Sequence, residues 1–195
     1  MSITKDDVIV LPHPNLRKRS QKVGLITSEI LNIVSDMKAA TISWERSREH
    51  EVGVALAAVQ INHLYRIVVI RNNYDNKEDL NFTTFINPTI TKLEGSIEDD
   101  YEGCLSVKNI YGKVPRHTKI RIKATDEQGR EFRVTAEGFL ARIFQHEIDH
   151  TNGILFIDHI KNNPKAFYQL KDDGALEQLD YEAQIRTDKT LWEQH

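Results

Sequence analysis

The stretch "TKIRIKATDEQGREFRVTAEGFLARIFQHEIDH", residues 118–150, holds two periodicities in succession. Ile120, Ile122 and Ala124 alternate, a turn runs through Asp126 to Gly129, and Phe132 and Val134 alternate after it. That pattern predicts a β-hairpin with one buried face. From Ala136 to Thr151 the spacing becomes helical, with Asn152 and Gly153 as stop signals. Working outward, "YRIVVI" at 65–70 and "FTTFINP" at 82–88 read as strands, separated by the polar turn region "NNYDNKED". Further upstream, Ile30, Ile33, Val34, Met37, Ala40 and Trp44 recur at helical spacing behind a cap at Thr27 or Ser28, and "SWERSREHE" follows as a charged loop. Strands in the middle and a helix after them predict an α+β fold. Mixed or antiparallel strands pack around the central helix, and a C-terminal helix follows.

At 195 residues the chain suffices for one domain with a sizeable core. We expect a catalytic domain over 1–160 and a polar helical tail over 161–195, the latter from a weak pattern through Phe167, Leu170, Leu176 and Leu179. Lys+Arg 26 against Asp+Glu 29 argues against nucleic-acid binding by electrostatics alone, the short "LRKRSQK" at 16–22 notwithstanding. The start "MSITKDDVIV" lacks the features of a secretory signal, and no apolar run is long enough to span a bilayer. These features predict a cytoplasmic protein. The single cysteine, Cys104, excludes an intrachain disulfide and fits a reducing compartment.

Around the helix, an advance of about 100° per residue gathers Phe139, Leu140, Ile143, Phe144, His146, Glu147, Ile148 and His150 into one arc, with Arg142, Gln145 and Asp149 in a polar arc. Burying a carboxylate beside two imidazoles costs several kcal/mol unless something compensates. A divalent cation does so, because histidines at i and i+4 reach one ion and the glutamate between them reaches its water. A third ligand is needed, and three sources are open. The longer HExxHxxGxxH pattern places Phe156 where its last histidine belongs, Glu177 or Glu182 lies downstream as in thermolysin-like peptidases, and Cys104 lies upstream.

"EGCLS" at 102–106 holds that cysteine, "GVALAAVQ" lies at 53–60, and "QHEIDH" at 145–150. These three in this order resemble the motif set of the peptide deformylases, hydrolases that remove the formyl group from the first methionine of new bacterial or organellar proteins. The resemblance extends over roughly 8–160 through "LPHPNLRKRSQKV", "FINPTI", "VPRHTKI" and "GILFIDHI".

It implies that Cys104, His146 and His150 hold one divalent metal, Fe(II) by family and Zn(II), Ni(II) or Co(II) by ligand chemistry. Glu147 would exchange protons with the attacking water and the leaving amine. Gln60 and the backbone NH of Leu105 would stabilise the charge growing on the formyl oxygen. Val54, Phe139 and Ile143 would line the methionine pocket, with substrate backbone passing Ala55 and Gly103. The implied partner is an N-formylmethionyl peptide or nascent chain at the ribosome, in a bacterial cytoplasm rather than an organelle.

Glu102 and Arg116 are expected to pair and steady the cysteine loop, and Asp158 to anchor the chain after the helix. His13, His50, His63, His117, His159 and His195 lack a ligand-spaced neighbour and read as ordinary. Two positions depart from the family pattern, Ala55 for its usual glycine and Lys108 for a common proline. The competing readings are an HExxH metallopeptidase and a catalytically silent, deformylase-like peptide-binding protein.

Overall fold

A computed structural model of the chain describes residues 3–47 and 51–192. His50 and His195 lie outside the described residues. Helix α1 (Ser28–Glu45) is capped by Thr27, whose side chain accepts from the Ile30 N–H. The strands are β1 (Ala55–Ala57), β2 (Ile67–Arg71), β3 (Phe82–Cys104), β4 (Val107–Thr125) and β5 (Glu131–Glu137). They are followed by α2 (Gly138–Thr151), α3 (Phe156–Ile160), β6 (Phe167–Leu170), β7 (Leu176–Gln178) and a short C-terminal helix, α4 (Lys189–Trp192). All seven strands join one antiparallel sheet, the α+β arrangement expected from the sequence.

Strand β2 explains why "YRIVVI" shows no alternation: it is buried on both faces. Val68 and Ile70 face Phe144 and Ile148 of α2, whereas Ile67 and Val69 face Ile33, Val34 and Met37 of α1. The sheet is thus the middle of three layers, and α2 packs on the side that carries the site.

Strands β3 and β4 form one long hairpin that pairs Ile86 with Thr125 at one end and Cys104 with Val107 at the other. The acidic "SIEDDY" at 96–101 is part of this ribbon. Its register shifts at four places, each of which bends the ribbon locally. Leu105 and Ser106 make the tight turn, which fixes Cys104 at a strand end.

The C-terminal segment departs from expectation. Phe167, Leu170 and Leu176 belong to a β6–β7 hairpin, not a helix, because Gly174 at φ 82° reverses the chain and the edge of β4 at Tyr111 and Gly112 accepts β6. Their spacing imitates a helix only because a turn of suitable length separates two strands. Nor is the segment merely polar: Phe167, Leu179, Ile185 and Leu191 bury against Leu155, Phe156 and Ile160.

The expected charged loop also begins later than the sequence suggests. Glu45 ends α1 buried, paired with the buried Arg71 at 2.9 Å and accepting the Gly53 N–H.

Candidate active site

Helix α2 delivers His146, Glu147 and His150, all buried, to the inner end of the β3–β4 hairpin. Gly153, at φ 76°, ends this turn of chain; a Cβ there would lie 2.5 Å from the Arg17 carbonyl oxygen, so the close approach of the N-terminal segment requires glycine. Asp158 does anchor the chain, accepting the Leu155 N–H at 2.8 Å and pairing with Arg17.

Cys104, His146 and His150 converge, with one donor atom from each lying within 4.8 Å of the others. Cys104 Sγ lies 3.2 Å from His150 Nε2. Tetrahedral coordination at ordinary metal–sulfur and metal–nitrogen lengths separates two such donors by about 3.5 Å, so the donor set suits a single ion. His150 Nδ1 and Glu147 Oε2 are buried with no hydrogen-bond partner among the described residues.

Electrostatics agree with a cation. Burial, followed by repulsion from His146, drives the His150 ring well below the usual imidazole range. Burial alone would also lower His146, but its hydrogen bonds with Cys104 and Glu102 hold it well above that range. A ring held neutral, as His150 is, keeps a lone pair free for a metal ion. Glu147 is pushed up to about 7, chiefly by burial.

Glu102 has the opposite environment. Its carboxylate meets His146 Nδ1 at 2.9 Å, Arg116 Nε at 2.9 Å and Arg142 Nη1 at 2.9 Å, bearing out the expected pairing with Arg116. Burial would raise its pKa, but His146 and Arg116 outweigh that and depress it strongly. A carboxylate on the far nitrogen of a ligating histidine fixes ring and tautomer, a common support for metal sites.

The network continues beyond what the sequence suggested. Arg116 Nη1 reaches Asp149 at 2.6 Å, and His159 reaches the same carboxylate at 2.7 Å, so His159 is not an isolated histidine. Arg142 also donates to the carbonyls of Glu98 and Val114, each at 2.7 Å, and Gln145 brackets His117 through its backbone N–H and carbonyl. Arg142 and Gln145 of the polar arc are therefore buried as well, and Asp149 is half-buried.

Gln60 stands in the turn after β1. Its Oε1 accepts the Ala57 N–H at 2.9 Å, while Nε2 donates to Ser106 Oγ at 3.2 Å and lies 3.6 Å from Cys104 Sγ. A cavity of about 770 Å³ opens above these groups, bordered by Val54, Ala55, Gly103, Leu105, Phe139 and Ile143. Phe139 is 47% exposed, an apolar ring presented to the opening rather than to the core. Ala55 and Lys108 border the cavity without filling it.

The alternative ligands are elsewhere. Glu177 is bound by Lys171 and Gln169, Glu182 by Arg186, and Phe156 stacks on the His146 ring.

Fold and site together define a metal-dependent hydrolase. Residues 5–166 match the family model described as polypeptide deformylase. The peptide deformylase of Wolinella succinogenes is 40% identical over 155 residues, covering 78% of this chain and 86% of that protein. That of Brachyspira hyodysenteriae is 40% identical over 161 residues, covering 82% of each. Among solved structures, a Legionella pneumophila peptide deformylase superposes with a TM-score of 0.69 at 36% identity, covering 78% of this chain and 83% of that one. A Synechococcus elongatus peptide deformylase in complex with actinonin gives 0.70 at 33% identity, covering 80% and 79%.

The chain belongs to the peptide deformylase family, the metal-dependent hydrolases that remove the N-formyl group from new polypeptides.

Proposed function

We propose that Cys104, His146 and His150 hold one divalent cation in this deformylase, with Glu147 as its acid–base group. The observation that carries this reading is the convergence of the three donors beside a buried, unpartnered carboxylate. When bound, the cation lowers the pKa of a water from about 15.7 toward about 7 and polarises the formyl carbonyl. Thiolate with two imidazoles accepts Fe(II), Zn(II), Ni(II) or Co(II), and we assign Fe(II) by family resemblance.

Glu147 accepts the proton of the attacking water and returns one to the leaving amine as the C–N bond breaks. Burial raises the proton affinity of this carboxyl above that of a solvated glutamate, which suits a group that must take a proton and give one back. Gln60 Nε2 and the Leu105 N–H donate to the formyl oxygen as negative charge develops there. The Ala57 N–H holds Gln60 by its oxygen and so turns its amide nitrogen toward the cysteine. Each such donor contributes about 3 to 4 kcal/mol to lowering the barrier.

Phe139 and Ile143 with Val54 receive the methionine side chain, and Ala55 and Gly103 meet the substrate backbone. Strand β1 pairs with β2 along one edge, which leaves its other edge to take an added strand. All residues given a role lie within 1–160, the segment assigned to catalysis.

The substrate is the formylated nascent chain, met as it leaves the ribosome. We place it in the cytoplasm, a reading supported by that role and by the bacterial relatives. No helix among the described residues is long and apolar enough to cross a membrane.

Release of formate from a formyl-Met peptide by anaerobically prepared protein tests the reading. We expect chelation to abolish it and Fe(II) to restore it. Equal rates with and without chelator, or full activity of Glu147→Ala, contradict it.

A further inference from the structure

We infer that the β6–β7 hairpin is a second recognition wall of the groove, reading an apolar side chain at the third or fourth residue of the formylated substrate through Leu170 and Leu176. The inference rests on the placement of the reaction proposed above. The family match ends at residue 166, before the hairpin begins. Yet Leu170 and Leu176 border the same cavity as Cys104, His146 and Glu147, so the extension is continuous with the site.

Register sets the distance. Gly103 lies opposite Tyr111, and Tyr111 lies opposite Tyr168. Two steps between strands amount to about 9.6 Å, and Leu170 lies two residues further along, about 6.7 Å, giving a diagonal of about 12 Å. An extended peptide covers that span in about three to four residues. Gly103 precedes Cys104, so the count starts at the formyl end.

The chemistry of the wall selects an apolar occupant. Leu170 and Leu176 are register partners, which places both side chains on one face as a half-buried pair. Tyr168 shares that face by the two-residue period and packs edge-on against Tyr101, another residue of the cavity, at 5.0 Å. Beside the pair, the Lys171 ammonium is held by Glu177 at 2.9 Å. At the rim, Lys108 and Asp172 bring opposite charges and no net preference. The base of the wall is anchored, since β6 pairs with β4 at Phe167 and Tyr168 and Phe167 is fully buried.

The experiment compares kcat/KM of the metal-loaded protein for formyl-Met-Ala with that for formyl-Met-Ala-Ala-Leu and its Asp counterpart, formyl-Met-Ala-Ala-Asp, with a matching pair varied at the third residue. We expect a leucine at the third or fourth position to raise kcat/KM about fivefold over the dipeptide, mainly through KM, and aspartate to give no gain. In Leu176→Ser, and separately in Leu170→Ser, the ratio of leucine peptide to dipeptide should fall toward one. Equal rates for leucine and aspartate peptides in the unmodified protein, a comparison that needs no variant to fold, overturn the inference. So does a ratio that survives both substitutions. Failure to release formate from any of these substrates instead overturns the underlying assignment of the reaction.

Discussion

Two glutamates flank the same histidine and experience opposite surroundings. Glu102 is buried yet strongly acidic, because the His146 ring and the Arg116 guanidinium outweigh its burial, with Arg142 also bound to its carboxylate. Glu147 is buried beside the same ring, has an oxygen without a partner, and is pushed up to about 7. Burial is common to both, so partners decide the outcome. A fully satisfied carboxylate can only hold a structure together, whereas an unsatisfied one can exchange a proton.

Replacing the two carboxylates in turn should separate these roles. Glu147→Ala is expected to lower kcat by about 10³- to 10⁴-fold, with metal content and unfolding midpoint nearly unchanged, as read by formate release, metal analysis and urea titration. An inactive but metal-free variant would erase the distinction. Glu102→Ala should have the reverse signature. It leaves Arg142 buried without a carboxylate and Arg116 with Asp149 alone, which costs about 3 to 5 kcal/mol of stability, and it weakens metal binding about 10- to 100-fold.

A third substitution tests the positioning of Gln60. Gln60→Ala should reduce kcat about 10²- to 10³-fold with KM little changed, since the lost donor acts on charge that develops only in the transition state. Comparable losses in KM would instead make Gln60 a binding residue.

The pH dependence of stability sharpens the contrast further. The pKa of Glu102 in the folded protein lies below its ordinary value, so its contribution is present above about pH 4.5 and is lost as pH falls through the folded value. Glu147 behaves oppositely. Its folded pKa of about 7 exceeds 4.5, so the native state of the metal-free protein binds the extra proton and loses stability as pH rises between these values. Between pH 5 and pH 7.5, urea titrations of metal-free protein and of metal-free Glu147→Gln should differ in their change of stability by about 1 to 3 kcal/mol, the His146 and His150 contributions being common to both. An unchanged pH slope in the variant would remove burial as the cause.

Much of this was legible in the sequence because it follows from local period and spacing. Helix α1, the β4–β5 hairpin, the turn at 126–129 and α2 follow from apolar periodicity alone. The histidine pair and Glu147 follow from helical geometry, and Cys104 from its motif. What stayed hidden depends on contacts between distant segments. Arg142 reads as a solvent-facing charge until β3 and β4 bring the carbonyls of Glu98 and Val114 to it. His159 has no ligand-spaced neighbour, yet it meets Asp149 once α3 folds back. Leu170 and Leu176 carry too short a pattern to distinguish strand from helix, and the edge of β4 decides between them. Residues matched to a local motif could be read; those satisfied by long-range partners could not.

X-ray absorption at the metal edge of the Fe(II)-loaded protein tests the central claim most directly. The account predicts one sulfur and two imidazole scatterers around the ion, with the sulfur contribution absent in Cys104→Ser. A first shell made only of nitrogen and oxygen in the unmodified protein would contradict it.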